Sequence, residues 1–369
     1  MPRVLVLNNF PLDYELARLE RGEIPDHVLF GINRFQELGY EMDIPPFQGS
    51  KVLQAVNKWL GRIRFPISLG NLDHQWAAWR RRDSYDIIYA PCADEINLLS
   101  YLRALGLWNK PIVNLLHHPP NRGRLTWLRT PFVRLMLRGT DAMTTLSKHL
   151  AQEINAECAG NATNSNKARS VRWGPQRSYY PVADGPGEGF ICAGMTGRDL
   201  SVFGRAAGQT AHPVEIVCMP DTWLPELAQL PANVKVTVPV GRRKFSFPEL
   251  LGRMSKARAL AIPLQKGVSL SGLTGVMDGL ALGRPLIVTR NPLLDLDIEA
   301  LGIGKWVDYG DVEGWRAALE WFAARPEESM AMGKRARALV DEEQFNSDSF
   351  ARNMVRIFDQ VLAATGSVG

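Results

Sequence analysis

At roughly 150 residues per domain, a chain of 369 residues predicts two or three domains. With 46% hydrophobic, 22% charged and 9% aromatic residues, its composition excludes the disordered, collagen-like and coiled-coil classes. The net charge of +5 is mild, but between Leu60 and Thr140 twelve basic residues (Arg62, Arg64, Arg80, Arg81, Arg82, Arg103, Lys110, Arg122, Arg124, Arg129, Arg134, Arg138) face five acids (Asp73, Asp83, Asp86, Asp94, Glu95), so the positive excess sits in the amino-terminal half.

The opening Met1-Pro2-Arg3-Val4-Leu5-Val6-Leu7-Asn8-Asn9 meets polar side chains after four apolar positions. That is too short for a membrane span or signal peptide and reads as a buried strand over 4–7. A helix over 27–38, apolar at Val28, Leu29, Ile32 and Leu38 and ended by Gly39, leads to a strand over 41–44. Strands are expected over 86–90, 111–116 and 142–146, with helices near 95–105 and over 148–157. The widely spaced Cys92, Cys158, Cys192 and Cys218 form no Cys-x-x-Cys pair and have no histidine nearby, which points to neither zinc nor a disulfide framework, and to a reducing compartment. Pro181-Val182-Ala183-Asp184-Gly185-Pro186-Gly187-Glu188-Gly189 reads as a linker. Beyond it the pattern restarts, with strands over 190–193, 214–218, 234–238, 259–263, 286–289 and 306–307 and helices between them. A final helix over 349–363 either finishes the second half or crosses back to the first. The expected architecture is α/β: two doubly wound halves, 1–182 and 183–345, followed by a carboxy-terminal helix in 346–369, with a cleft between the halves at the carboxyl ends of both sheets.

The most informative stretch is Ser269-Leu270-Ser271-Gly272-Leu273-Thr274-Gly275-Val276-Met277-Asp278-Gly279-Leu280-Ala281-Leu282-Gly283-Arg284-Pro285-Leu286-Ile287-Val288-Thr289. It reads as a glycine-rich loop after a strand, a short helix closed by Gly283, and the next strand. Such a helix start offers backbone N–H groups and the positive end of the dipole to a phosphate. Ser271, Thr274 and Asp278, spaced i, i+3, i+7, then share one face, and the carboxylate can accept two hydrogen bonds from a ribose diol. The same residues also fit a plain helix start, with Asp278 as an acid near the amino terminus and the glycines serving tight turns.

On these residues the chain resembles the GT-B glycosyltransferases of retaining family 4, whose carboxy-terminal domain carries Glu-x7-Glu running into Glu-Ala-Met-Ala-x-Gly-x-Pro-Val-Ile. Met277-Asp278-Gly279-Leu280-Ala281-Leu282-Gly283-Arg284-Pro285-Leu286-Ile287 matches the second part and Ser271-Gly272-Leu273-Thr274 a Ser-Gly-Leu-Thr variant of the first. Gly194-Met195-Thr196-Gly197-Arg198-Asp199, Val171-Arg172-Trp173-Gly174 and Met332-Gly333-Lys334-Arg335-Ala336-Arg337 follow the family's order. Two positions depart from the pattern: Leu270 stands where the first acid falls, and the second is shortened to Asp278. The basic pair that neutralises the diphosphate is reduced to Arg198, with Met195 near the other position and Arg284 or Arg242 as substitutes. The resemblance implies that Ser271, Gly272, Leu273, Thr274 and Asp278 bind the nucleotide and that His117, at the end of Val113-Asn114-Leu115-Leu116-His117-His118, contacts the donor sugar. A histidine satisfied within its loop is the other reading of His117. Asn8, Asn9, His27 and His118 fall where the family receives its acceptor, although the usual double glycine is missing there.

The implied function is a hexosyltransferase moving a sugar from a nucleoside-diphosphate sugar to a glycan or lipid-linked acceptor, with retention, without metal and without a further cofactor. Exopolysaccharide or related envelope synthesis follows from the family alone. Asp295-Leu296-Asp297 resembles a metal-binding Asp-x-Asp, but helix capping accounts for it. A non-catalytic sugar-nucleotide-binding protein and a GT-B epimerase are the alternatives. Nucleic-acid binding has no recognisable module behind it. The segments 51–65 and 125–138 mix tryptophan and aliphatic residues with lysine and arginine, and near them lie Trp76, Trp79 and Arg80-Arg81-Arg82. They read either as core faces with solvated arginines or as contacts to an anionic membrane, which places the protein in the cytoplasm with a peripheral site at the inner face of the cell membrane.

Overall fold

The computed structural model describes residues 1–47, 49–62, 67–121, 125–158, 167–239, 245–267, 269–342 and 345–366. The expectations for Ile63, Arg64, Phe65, Arg122, Arg124 and Arg242 lie outside these residues. The chain divides into two compact units, Met1–Arg21 with Asp26–Trp173 and Asp348–Gly369, and Gly22–Pro25 with Gly174–Ser347. Apart from Gly22–Pro25, the chain passes from unit 1 to unit 2 after Trp173, ahead of the proline- and glycine-rich stretch.

Unit 1 is built on six parallel strands, β1 (Arg3–Val6), β2 (Glu41–Asp43), β3 (Ile87–Ala90), β4 (Ile112–Leu116), β5 (Ala142–Thr145) and β6 (Ala168–Ser170), in the order β2-β1-β3-β4-β5-β6. The central strands β3, β4 and β5 are buried throughout, as expected of parallel strands covered on both faces. Its helices are α1 (Leu12–Glu20), α2 (Lys51–Arg62), α3 (Leu72–Arg80), α4 (Asn97–Ala104), α5 (Thr126–Gly139) and α6 (Lys148–Cys158). The helix expected over 27–38 is replaced by two 3₁₀ turns, Asp26–Leu29 and Ile32–Arg34. Between them the backbone turns left-handed at Phe30 (φ 49°) and Gly31 (φ 83°), which an α-helix does not accommodate. Strand β6 was not foreseen: its exposed Arg169 and Ser170 hide the apolar run that marks the inner strands.

Unit 2 has β7 (Phe190–Ala193), β8 (Val214–Val217), β9 (Val234–Thr237), β10 (Ala259–Ile262), β11 (Leu286–Thr289) and β12 (Gly304–Val307), all parallel, in the order β12-β11-β10-β7-β8-β9. This is the 3-2-1-4-5-6 order of a Rossmann sheet, with its switch point between β7 and β10. The helices are α7 (Leu200–Gly208), α8 (Phe247–Met254), α9 (Leu273–Leu282), α10 (Val312–Ala324) and α11 (Pro326–Asp341). Asp199 caps α7 through the Val202 N–H, Ser246 and Glu249 form a reciprocal capping box on α8, and Asp311 caps α10. In the core Phe203 of α7 meets Trp315 of α10 edge-on at 5.1 Å.

The last helix, α12 (Ser347–Gly366), belongs to unit 1 from Asp348 onward. Phe358 lies edge-on to Phe35, Tyr40 and Tyr89 at 5.2–5.6 Å, and full burial of such a ring contributes about 1.5–3 kcal/mol. The Tyr40 hydroxyl donates to Asp359 at 2.5 Å, and Arg34 bridges Asp348 and Asp26. Among the described residues no helix is long and apolar enough to cross a membrane.

Candidate functional site

Ligands of open α/β sheets bind beyond the carboxyl ends of the strands at the switch point. In unit 2 that point brings together the loop after β7, Gly194 to Asp199, and the loop that runs from β10 to α9. Arg198 pairs with Leu264 in an isolated antiparallel bridge, Gln265 N–H donates to Gly197 O at 2.8 Å, and Asp199 N–H donates to Pro263 O at 3.1 Å. The motif after β7 and the one opening α9, distant in sequence, are thereby joined.

Gly272 is the residue before α9, with φ 91°, a conformation that favours glycine; a Cβ there would also press on Leu264 Cδ1 at 3.0 Å. With glycine at this place no side chain caps the helix, and its first backbone bond runs from Val276 N–H to Gly272 O. The amides of Leu273, Thr274 and Gly275 precede that bond, as in an anion-binding helix start. The Arg198 guanidinium lies against this turn: a Cβ on Gly275 would be 3.3 Å from Arg198 Nη2, and one on Gly194 would be 2.3 Å from it. A side chain at either place would have to displace the end of Arg198, and the φ of 142° at Gly194 itself favours glycine. Nη1 donates to Thr196 O at 3.2 Å and Nη2 to Ala193 O at 3.4 Å, whereas the buried Nε has no hydrogen-bond partner among the described residues. Burial pulls the guanidinium below its ordinary value, with Cys192 and Asp278 acting the other way.

Asp278 follows one turn into α9 and is 8% exposed. Its Oδ1 accepts the Tyr180 hydroxyl at 2.6 Å. Burial pushes its carboxyl up to about 6, against the lowering effects of the Tyr180 bond and the Arg198 charge. The expectation that Ser271, Thr274 and Asp278 form one helical stripe is corrected by the backbone. The left-handed Gly272 leaves Ser271 outside the helix, while Thr274 is exposed at the tip. Ser271 instead shares a 2.7 Å hydrogen bond with Ser269, and its Oγ would lie 2.9 Å from a Cβ on Gly197. Leu273 is half-buried, and Leu270, at the first motif position, is buried.

Arg284 does not serve as the second cation. It is buried, its Nε and Nη2 donate to Ser255 O and its Nη1 to Gly185 O, so it ties two loops together at the far end of α9. Asp297 forms a turn, accepting from Ala300 N–H at 3.1 Å and from the Trp306 indole at 3.3 Å. Sequence reading did not single out Tyr180, or Asn291, whose amide donates to Ser269 O and Ser271 O at 3.2 Å each and holds the loop entering α9. The Asn-Pro pair after β11 is a turn signal, but nothing in it names the loop it reaches.

The remaining predicted residues belong to unit 1. His117 lies at the carboxyl end of β4, half-buried, with Nε2 at 2.8 Å from Pro91 O and its ring edge-on to Phe30 at 5.0 Å. Because a carbonyl only accepts, Nε2 carries the proton. His118 beside it is also half-buried. At the end of β1 Asn9 is exposed, whereas Asn8 is buried and its Nδ2 has no partner among the described residues. Asn8 also lines a pocket with Phe10, Phe47 and His74. His27 is 1% exposed and edge-on to Trp173 at 5.1 Å, which leaves it no surface to offer an acceptor.

No protein-family model and no curated protein matches the chain. Solved structures do. HepE of Anabaena in complex with UDP aligns over 98% of this chain and 100% of its own, at 12% identity and a TM-score of 0.66. It has also been solved with UDP and glucose and with UDP-glucose. Sucrose-phosphate synthase of Thermosynechococcus elongatus aligns over 99% of this chain and 100% of its own at 13% identity and 0.65, and a glycosyltransferase of Rickettsia africae over 98% of each chain at 12% and 0.64. At such identities the likeness is one of architecture, and it is specific: the chain has the GT-B fold, with two Rossmann-like α/β units.

Proposed function

We propose that the protein is a glycosyltransferase that moves a sugar from a nucleoside-diphosphate sugar to a glycan or lipid-linked acceptor. One observation carries this reading: a guanidinium with an unpartnered buried Nε rests beside Gly194 and Gly275 against an uncapped helix start, at the sheet's switch point. Transfer develops positive charge at the anomeric carbon and negative charge on the departing diphosphate. Arg198, the amides of Leu273 to Gly275 and the Thr274 hydroxyl would receive the latter, already oriented before it forms. The Asp278 oxygen not taken by Tyr180 would accept from the ribose diol. By the family resemblance His117 would serve the transferred sugar, its tautomer set by the Pro91 carbonyl. With the diphosphate charge met by these groups, the transfer is read as metal-independent and, as the resemblance implies, retaining. The HepE complexes make uridine diphosphate glucose the first donor to test.

Calorimetric titration with UDP should give saturable binding that Arg198→Ala weakens at least tenfold and Asp278→Ala clearly weakens. His117→Ala should bind UDP as the wild type does and slow turnover. Transfer should survive a chelator. Unchanged UDP affinity in both Arg198→Ala and Asp278→Ala would remove the basis of the reading. Leu270 favours a second reading, a protein that binds a sugar nucleotide without turning it over, because no acid can reach the sugar from that position. Tight donor binding without product across a panel of acceptors would support it.

A further inference from the structure

A helix of a globular protein turns its apolar stripe toward the core. Helix α2 carries a second apolar stripe that faces outward. None of its residues is fully buried, and Val52, Val56 and Trp59, spaced i, i+4, i+7, stand outward at 72%, 36% and 57% exposure. Its inward side combines the half-buried Leu53 and Leu60 with polar groups that hold the helix in place. Asn57 donates to Asn71 Oδ1 at 2.9 Å and accepts from Leu72 N–H at 3.1 Å, and Gln54 donates to Asp73 at 3.4 Å. Next to the apolar stripe run Lys51, Lys58 and Arg62, all exposed, and the helix contains no acid. Helix α5, also without an acid, repeats the arrangement more sparsely: Trp127, Pro131, Arg134 and Arg138 form an exposed stripe, while Phe132 and Val133 join the core together with Ile67 and Leu69, which follow α2 in the chain.

We propose that α2 docks on an anionic lipid bilayer, with Val52, Val56 and Trp59 entering the boundary between headgroups and acyl chains and Lys51, Lys58 and Arg62 meeting acidic headgroups. Trp127 and Arg134 of α5 supply a second contact. The two halves of the stripe select this occupant. Nucleic-acid phosphates would reward the cations but not two valines and a tryptophan, and a second copy of the chain would bring the same three cations against themselves. The residues of this surface belong to unit 1 and take no part in the nucleotide site of unit 2, so this inference stands or falls independently of sugar transfer.

Flotation with vesicles tests it. Vesicles of phosphatidylcholine alone should carry little protein, and the bound fraction should rise as phosphatidylglycerol is added and fall with salt. Each cation near such a surface is worth about fivefold in affinity, so Lys51→Gln/Lys58→Gln/Arg62→Gln should bind about a hundredfold more weakly. Trp59→Ser should also weaken binding to the acidic vesicles. These positions are exposed, so circular dichroism and melting should match the wild type, and the same variants should still bind UDP. The proposal is overturned if the protein ignores vesicle charge or if either variant floats like the wild type. It is equally overturned if Trp59→Ser abolishes self-association in a protein that does not float, or if a DNA duplex is bound with vesicles left alone.

Discussion

At the scale of single residues, the site in unit 2 depends on polar groups that hold other polar groups. Asn291 is 5% exposed and spans the loop before α9 by donating twice from one nitrogen, while its Oδ1 accepts from Leu293 N–H at 3.0 Å. Truncation to alanine removes the donor from two half-buried carbonyls, and leaving such a group unpaired costs up to about 1–3 kcal/mol. The informative variant is Asn291→Asp, which keeps the shape but turns the double donor into an acceptor facing two carbonyl oxygens. Both variants are expected to lower the melting temperature and weaken UDP binding, with Asp at least as harmful as Ala. If Asn291→Asp bound UDP like the wild type, the loop would not need its clamp. The same reasoning says why some of this site was legible in the sequence and some was not. Gly272, Asp278 and Arg198 stand inside patterned segments whose local geometry announces itself. Tyr180 and Asn291 matter only through partners 98 and about 20 residues away, and no local pattern encodes a hydrogen bond of that span.

At the scale of elements, α9 is defined by what packs on it as much as by its own sequence. Gly283 ends it with φ 70°, and Gly333 of α11 lies so close that a Cβ there would sit 2.1 Å from Gly283 O. Arg337, one turn along α11, donates to Ala281 O at the same end. Since the obstructing atom is backbone, Gly333→Ala forces the two helices apart, and such overpacking costs about 1–3 kcal/mol. A shift at the carboxyl end of α9 is transmitted along a rigid helix to its amino-terminal turn, so the expected result is a lowered unfolding midpoint in urea together with weaker UDP binding. An unchanged midpoint would mean that α11 yields without cost. The inner strands were legible because burial on both faces writes them as short apolar runs, as in Leu286-Ile287-Val288-Thr289, whereas the edge strand β6 has no such run. The segment 27–38 misled because its apolar spacing fits a helix, while the left-handed Phe30 is set by the packing around it. Its ring lies edge-on to His117 and stacked on Trp173, and its carbonyl accepts from the Tyr89 hydroxyl at 3.2 Å.

At the scale of the molecule, the two units carry buried titratable groups whose protons act in opposite directions. In unit 1, burial pulls His27 from 6.5 down to about 3. Between those values the unfolded chain takes a proton that the folded chain refuses, so unit 1 loses stability from His27 as pH falls below 6.5. In unit 2, Asp278 is lifted from 3.8 to about 6. There the folded chain keeps a proton that the unfolded chain has released, so unit 2 gains stability from Asp278 as pH falls from about 6 toward 3.8. His74, raised by its hydrogen bond to Glu95 against the lowering effect of burial, works against His27 within unit 1. The readout is therefore the difference between the wild type and a variant that lacks one group, in which His74 cancels. Each pH unit inside a window is worth about 1.4 kcal/mol. Amide exchange, corrected for its intrinsic pH dependence, should show the stability of β1 and β4 relative to His27→Gln falling by about 2 kcal/mol from pH 7 to pH 5. The stability of β10 and β11 relative to Asp278→Asn should rise by about 1 kcal/mol over the same interval. Nucleoside diphosphate bound beside Asp278 would add negative charge and raise its value further, so the pH dependence of UDP affinity near 6, to which the terminal phosphate's own titration contributes in both proteins, should differ between the wild type and Asp278→Asn. A pH profile for UDP binding that is identical in the two proteins would place the carboxylate away from the ligand, whatever its effect on the fold.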